Sequence, residues 1–179
     1  MKIRLASPIT LDSIVDGPGL RAVLWTQGCN HNCKGCHNPQ THDILGGYEE
    51  DTDNINNEIR KLKLHRGITL SGGEPFLQSE ALAEVAKTCK ENNLDVWIYS
   101  GYTIEELLNK KNSFYFNNLN LLRNVDVLVD GRFIEAKRDI SLKFRGSSNQ
   151  RIIDVKKTLE TKQVHLHEEY MKEDLSIAK

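Results

Sequence analysis

The sequence predicts an α/β fold, an open and partial (β/α) barrel with a mostly parallel sheet. Three observations carry that expectation. Short apolar runs alternate with segments of helical period, the pattern of βαβ units and a parallel sheet. These units are too few for a closed eight-unit barrel of about 250 residues. The chain has 179 residues, a length that suits a single domain over 1–179 with a core that needs no staples.

The elements follow in order. Asp16-Gly17-Pro18-Gly19 is a turn, and Leu20 to Thr26 (LRAVLWT) reads as a first strand. Ile55, Ile59 and Leu62 recur at helical spacing and mark one apolar face. Gly67 to Ser71 (GITLS) is the second strand, ended by Gly72-Gly73. Leu82, Val85, Ala86 and Cys89 line one face of the next helix. Leu94 to Tyr99 (LDVWIY) is the third strand. Thr103 opens a helix, with Glu106 completing a capping box. Val125 to Val129 (VDVLV) is the fourth strand. Of the 12 glycines, only Gly101, Gly131 and Gly146 fall after Gly73, and no proline follows Pro75. Turn chemistry is therefore concentrated in the first half, where backbone can approach a ligand closely.

Composition narrows the function classes. With 24 Lys+Arg against 25 Asp+Glu, the net charge of −1 gives no footprint for nucleic acid or an anionic membrane. Hydrophobic residues at 39% and charged residues at 27% argue against disorder. No apolar stretch approaches the roughly 18 residues of a membrane span, and Met1 to Pro8 (MKIRLASP) has no signal-peptide core. A cytoplasmic protein is expected.

Three of the four cysteines, Cys29, Cys33 and Cys36, crowd into one short loop directly after the first strand, while Cys89 stands far off. A disulfide framework would spread its cysteines to staple distant segments, so three thiols on one loop point to a metal. A structural zinc site would need four closed ligands, here the three cysteines with His31 or His37. The spacing lacks the second ligand pair usual for zinc. A [4Fe–4S] cluster normally takes four thiolates, so three would leave one iron open for chemistry. The spacing favours the cluster. Gly72-Gly73-Glu74-Pro75 follows a strand on the same rim, and two motifs on one rim suit a shared ligand.

Cys29-Asn30-His31-Asn32-Cys33-Lys34-Gly35-Cys36 resembles the cysteine loop of the radical S-adenosylmethionine (SAM) enzymes. The resemblance implies that Cys29, Cys33 and Cys36 hold a [4Fe–4S] cluster whose fourth iron is chelated by SAM. Gly35 stands where many members carry an aromatic residue, which points to a subgroup. By the same resemblance the backbone at Gly73, with Glu74 beside it, meets the amino group of SAM, and Gly35, Cys36 and His37 lie along its adenine. Val15-Asp16-Gly17-Pro18-Gly19-Leu20-Arg21 and Cys36-His37-Asn38-Pro39 are similar to segments of glycyl-radical-enzyme activases. Residues 97–102 (WIYSGY), 127–133 (VLVDGRF) and 144–151 (FRGSSNQR) resemble the activating proteins of anaerobic (class III) ribonucleotide reductase.

That family implies reductive cleavage of SAM and hydrogen abstraction from a glycine of the reductase by a 5′-deoxyadenosyl radical. Its partners would be the reductase large subunit and an external electron donor such as flavodoxin. No side chain need act as an acid or base, so no catalytic residue is expected beyond the cluster ligands. The alternatives are an activase of a formate-lyase-type enzyme, radical SAM chemistry on a small molecule as in deazapurine biosynthesis, or a non-enzymatic zinc-binding interaction module.

The resemblance runs from about Ser13 to Val155, and the last two dozen residues carry no motif. Cys89 reads as a small core residue, and His165 and His167 as surface histidines. Lys137-Arg138 with Lys143, Arg145 and Arg151 reads as a solvated face, or as a surface that meets the partner.

Overall fold

The computed structural model describes residues 1–177. Its centre is a sheet in the order β4-β1-β3-β5-β6-β7-β8, with β2 paired to β3. The strands are β1 (Lys2–Leu5), β2 (Thr10–Ser13), β3 (Arg21–Thr26), β4 (Tyr48–Asp51), β5 (Gly67–Gly72), β6 (Asp95–Tyr99), β7 (Val127–Asp130) and β8 (Arg151–Asp154). The four central strands, β3, β5, β6 and β7, run parallel. The flanking strands pair antiparallel. The expected strands are β3, β5, β6 and β7, with their ends moved by up to two residues. The expected first strand is third in the chain. Lys2-Ile3-Arg4-Leu5 does alternate polar and apolar, but over four residues that signal is short.

The helices are α1 (Thr52–Lys61), α2 (Ser79–Glu91), α3 (Ile104–Leu107), α4 (Tyr115–Leu122), α5 (Val155–Thr161) and α6 (Lys172–Ile177). α1 begins where Asp51 accepts a hydrogen bond from the Asp53 N–H. α3 has the expected capping box between Thr103 and Glu106, but lasts a single turn.

Period-2 alternation divides the sheet into two faces. Ala22, Leu24, Ile68, Leu70, Val96, Ile98, Leu128 and Ile153 pack with α1, α2 and α4 in the main core, where Cys89 is also buried. Burial pushes the Cys89 thiol up to about 12, which fits an inert core residue. The opposite face carries Trp97, Val127, Val129 and Ile152. No helix among α1–α5 joins this cluster, as expected for a sheet curved into a half-barrel. Its apolar cover comes from Phe144, Tyr170 and Met171, with Trp97, Phe144 and Tyr170 in mutual edge-to-face contact at 5.4 Å.

Register keeps the parallel strands level. Arg21 to Thr26 pair in step with Gly67 to Gly72, and Gly67 is in turn level with Asp95. Arg21, fully buried, anchors the lower end. It donates to the Thr69 hydroxyl (2.8 Å) and the carbonyls of Ile68 (2.8 Å) and Pro18 (3.2 Å), and it pairs with Asp95 at 2.5 Å. At the other end Asp130, also buried, accepts from Arg151 and from the Ile104 N–H, tying β7 to β8 and to the start of α3.

The C-terminal segment without a motif thus completes the inner face. His165 and His167, expected at the surface, are half-buried: His165 meets the Thr161 hydroxyl at 2.8 Å and His167 stacks on Tyr170 at 4.6 Å. Met171 is 2% exposed. Met171→Ala should lower the unfolding free energy in urea by about 2–5 kcal/mol. Lys172→Ala, at an exposed neighbour, should change it by no more than about 0.5 kcal/mol. Equal, small losses would mean that the segment is no part of the core.

Candidate functional site

Level parallel strands bring their C-terminal ends to one rim, and a cavity of about 440 Å³ opens there. All four central strands contribute to it. Trp25 and the cysteine loop come from β3, Ser71-Gly72-Gly73-Glu74 from β5, Tyr99-Ser100-Gly101 from β6 and Gly131 from β7. The volume lies within the roughly 300–1,000 Å³ usual for cofactor and small-molecule sites.

The cysteine loop is closed at its neck. The Gly28 N–H donates to the Thr41 carbonyl at 2.8 Å and the Cys29 N–H to the His42 carbonyl at 3.1 Å. The buried Gln27 side chain reaches across to the Asp43 carbonyl at 2.7 Å. Between these pins the chain is irregular up to a short 3₁₀ turn at Pro39–Thr41, and Cys29, Cys33 and Cys36 are free, half-buried thiols on the cavity wall. Hydrogen-bond donors already face the sulfurs. The Asn38 N–H donates to Cys36 Sγ at 3.4 Å. Burial raises the Cys29 thiol above its ordinary value, with the Glu74 and Cys33 charges adding to the effect; the backbone N–H groups of His31 and Asn32 oppose it. Binding a metal at Cys29 must therefore displace a proton.

Glu74 organises the rim. It is completely buried and its carboxylate accepts four hydrogen bonds. Oε1 takes the Phe76 N–H (3.0 Å) and the Ser100 hydroxyl (2.9 Å); Oε2 takes the Gly101 N–H (2.8 Å) and the Nε2–H of His31 (2.8 Å). Pro75 follows as the first residue of a short 3₁₀ turn that Glu74 caps, as expected from its fixed φ. Two glycines make the closeness possible. A Cβ on Gly73 would stand 2.2 Å from the Gly28 carbonyl oxygen, and one on Gly101 would stand 2.4 Å from the His31 ring.

Of the residues expected at the site, Cys29, Cys33, Cys36, His37, Gly73 and Glu74 all line the cavity. Gly35 does not line it, and its open side faces the Glu135 carboxylate. Glu74 lines the wall with both oxygens engaged by protein donors. His37 is exposed and lies against Phe133, with ring centres 5.2 Å apart. Ser100, Gly101, Phe133, Leu142, Phe144 and Gln150 line the cavity unforeseen. For Ser100 and Gly101 the signal was present, because they follow a strand as the other site loops do.

The donor set fits a cluster of several irons. Three thiols line one wall, and the fourth cysteine is buried in the helix-side core. Among the described residues no three Cys, His, Asp or Glu side chains are gathered closely enough to hold a single metal ion as they stand. Glu74→Gln puts an amide where a carboxylate meets four donors. It should cost about 1–3 kcal/mol in urea unfolding and lower the iron bound per chain after anaerobic reconstitution. Wild-type values in both measurements would mean that Glu74 does not hold the loop.

Comparison with known proteins agrees with this geometry. A family described as a 4Fe-4S single cluster domain matches residues 15–153. The chain is 36% identical over 145 residues to the anaerobic ribonucleoside-triphosphate reductase-activating protein of Vibrio cholerae serotype O1, covering 76% of this chain and 89% of that one. The protein of the same description from Salmonella typhi is 38% identical over 145 residues, covering 76% and 90%. That from Escherichia coli K12 is 36% identical over 146 residues with the same coverage. The solved structure of QueE from Escherichia coli overlaps 57% of this chain and 54% of its own, at 16% identity and a TM-score of 0.48, too slight a likeness to inform function. The three thiols on one strand-end loop and the extent of these matches agree: the chain belongs to the family of anaerobic ribonucleoside-triphosphate reductase-activating proteins.

Proposed function

We propose that this chain is the cytoplasmic enzyme that activates an anaerobic ribonucleotide reductase by generating a glycyl radical on it, using SAM and a [4Fe–4S] cluster. One observation carries the reading. Three free thiols and no fourth line a cavity to which four parallel strand ends contribute. A [4Fe–4S] cluster held by Cys29, Cys33 and Cys36 would supply the one electron for reductive cleavage of SAM, the source of the radical that would take hydrogen from a glycine Cα of the reductase.

The chain's own residues bind and orient. Cys29, Cys33 and Cys36 would hold three irons, and the fourth would be left for SAM in the cavity they line. Gly73, without a side chain, lets its turn pack directly against the Gly28 carbonyl at the neck of the cysteine loop, with its N–H donated to the Thr26 carbonyl at 2.8 Å. Cys36 and His37 sit on the cluster loop where the adenine side of SAM is expected. Glu74 acts by holding His31 and Gly101 in place. The Tyr99 hydroxyl, which burial keeps protonated, donates to the Phe144 carbonyl at 2.9 Å and closes the floor. No group here moves a proton in the reaction. The electron comes from an external donor, for which flavodoxin is the proposed source.

The protein reduced after anaerobic reconstitution should give a [4Fe–4S]⁺ paramagnetic resonance signal that changes when SAM is added. A glycyl radical should then appear on added reductase. One zinc per chain with no iron would overturn the reading in favour of a zinc-binding module. A radical on a formate-lyase-type partner but not on the reductase would redirect it to another glycyl radical enzyme. Cys29→Ala, Cys33→Ala and Cys36→Ala should each abolish SAM cleavage, whereas Cys89→Ala should retain it.

A further inference from the structure

Beyond β7 the chain makes an excursion over residues 133–147 that forms one lip of the cavity. Its base is pinned. The Ser148 N–H donates to the Lys137 carbonyl at 2.9 Å and the Asp139 N–H to the Gly146 carbonyl at 3.3 Å. Arg138 and Ser147 form a bridge, and the Gln150 amide spans the Gly146 N–H and the Gly131 carbonyl. The lip also touches the cluster loop, through Lys34 and Glu135 at 3.1 Å.

Side chains along the lip are sorted by direction. Phe133, Leu142 and Phe144 line the cavity. Lys137, Arg138, Ile140 and Lys143 are exposed, Ile140 to 92%. The ion pairs of this region go to Lys34, Arg145 and Arg151. Lys137, Arg138 and Lys143 have no ion-pair partner among the described residues. Three unpaired cations beside a bare isoleucine, on a chain whose net charge is −1, are a local concentration and not a general excess. Across the mouth, Ile14 and Val15 are also exposed, at 73% and 74%, and Val15 reaches the cavity. Solvated charge and apolar surface together at the rim of a site suit a protein partner.

Resting on the reading above, in which the substrate is a folded protein that must bring a glycine to this cavity, we propose that the 133–147 lip is its docking surface. Lys137, Arg138 and Lys143 meet an acidic face of the reductase, and Ile140 meets an apolar spot within it. The cations steer the encounter and set its register, and they take no part in SAM cleavage.

The test uses the full chain carrying K137E/R138E/K143E together, and Ile140→Asp separately. SAM cleavage without partner, driven by a chemical one-electron reductant, should stay within about twofold of wild type for both variants. The reductase concentration giving half-maximal glycyl radical should rise at least tenfold for the charge reversal, and its dependence on salt should flatten. Ile140→Asp should raise that concentration and leave the salt dependence in place. An unchanged half-maximal concentration would overturn the proposal. So would a loss of uncoupled cleavage, which would make the lip part of the site. A defect seen only with a protein electron donor would also overturn it, assigning the surface to the donor. Failure of the wild-type chain to form any radical on the reductase would instead sink the functional reading itself.

Discussion

One buried carboxylate holds the rim together. Glu74 meets donors from its own turn, from the end of β6 and from the cysteine loop, so three segments distant in sequence share one anchor. A carboxylate stripped of water is costly unless its lone pairs are used, and here all the donors come from the protein. The cysteine loop has no strand or α-helix of its own between its pinned ends, only a short 3₁₀ turn at Pro39–Thr41. Its inner part is held against the sheet by His31, whose side chain is 4% exposed. The two oxygens of Glu74 therefore do for the loop what a backbone ladder does for a strand.

That anchor works because the strands beneath it end level. Parallel pairing in step from Arg21–Gly67 to Thr26–Gly72 sets the height at which the loops leave β3 and β5. Arg21 fixes the lower end by joining the turn before β3 to β5 and β6. The convex face is filled by helices in the ordinary way. The concave face is covered by Phe144, Tyr170 and Met171, which close its floor and leave the rim open. A half-barrel with a closed lower end and an open upper one follows from that division.

Much of the site could be read from neighbouring residues. The cysteine loop and the Gly-Gly-Glu-Pro turn are contiguous motifs, and local geometry suffices to express them. The strands β3, β5 and β6 and the faces of α1 and α2 were legible because they run over five or more residues, and the four-residue β7 because Val125 extends its apolar run. The four-residue flanking strands β1, β2, β4 and β8 offered too short a period, and antiparallel pairing is set by partners remote in sequence. The basic run shows the same limit. Lys137, Arg138, Lys143, Arg145 and Arg151 look alike in sequence, yet Arg145 is drawn in by Asp174 and Arg151 by Asp130 and Glu105. The remaining three stay in solvent.

The sequence by itself pointed to the ligand chemistry, since three thiols crowded on one short loop mark a metal-binding motif that can be read without the rest of the fold. It determined the α/β class, because hydrophobic period is a local property. Only the tertiary structure decided that Glu74 engages protein donors, that Gly35 has its open side against the Glu135 carboxylate, and that the C-terminal segment seals the inner face. Apart from the Phe76 N–H that caps its own turn, each of these depends on which residue arrives opposite another across 26 or more positions of chain. Such meetings are fixed by strand register and loop closure, which no local pattern encodes.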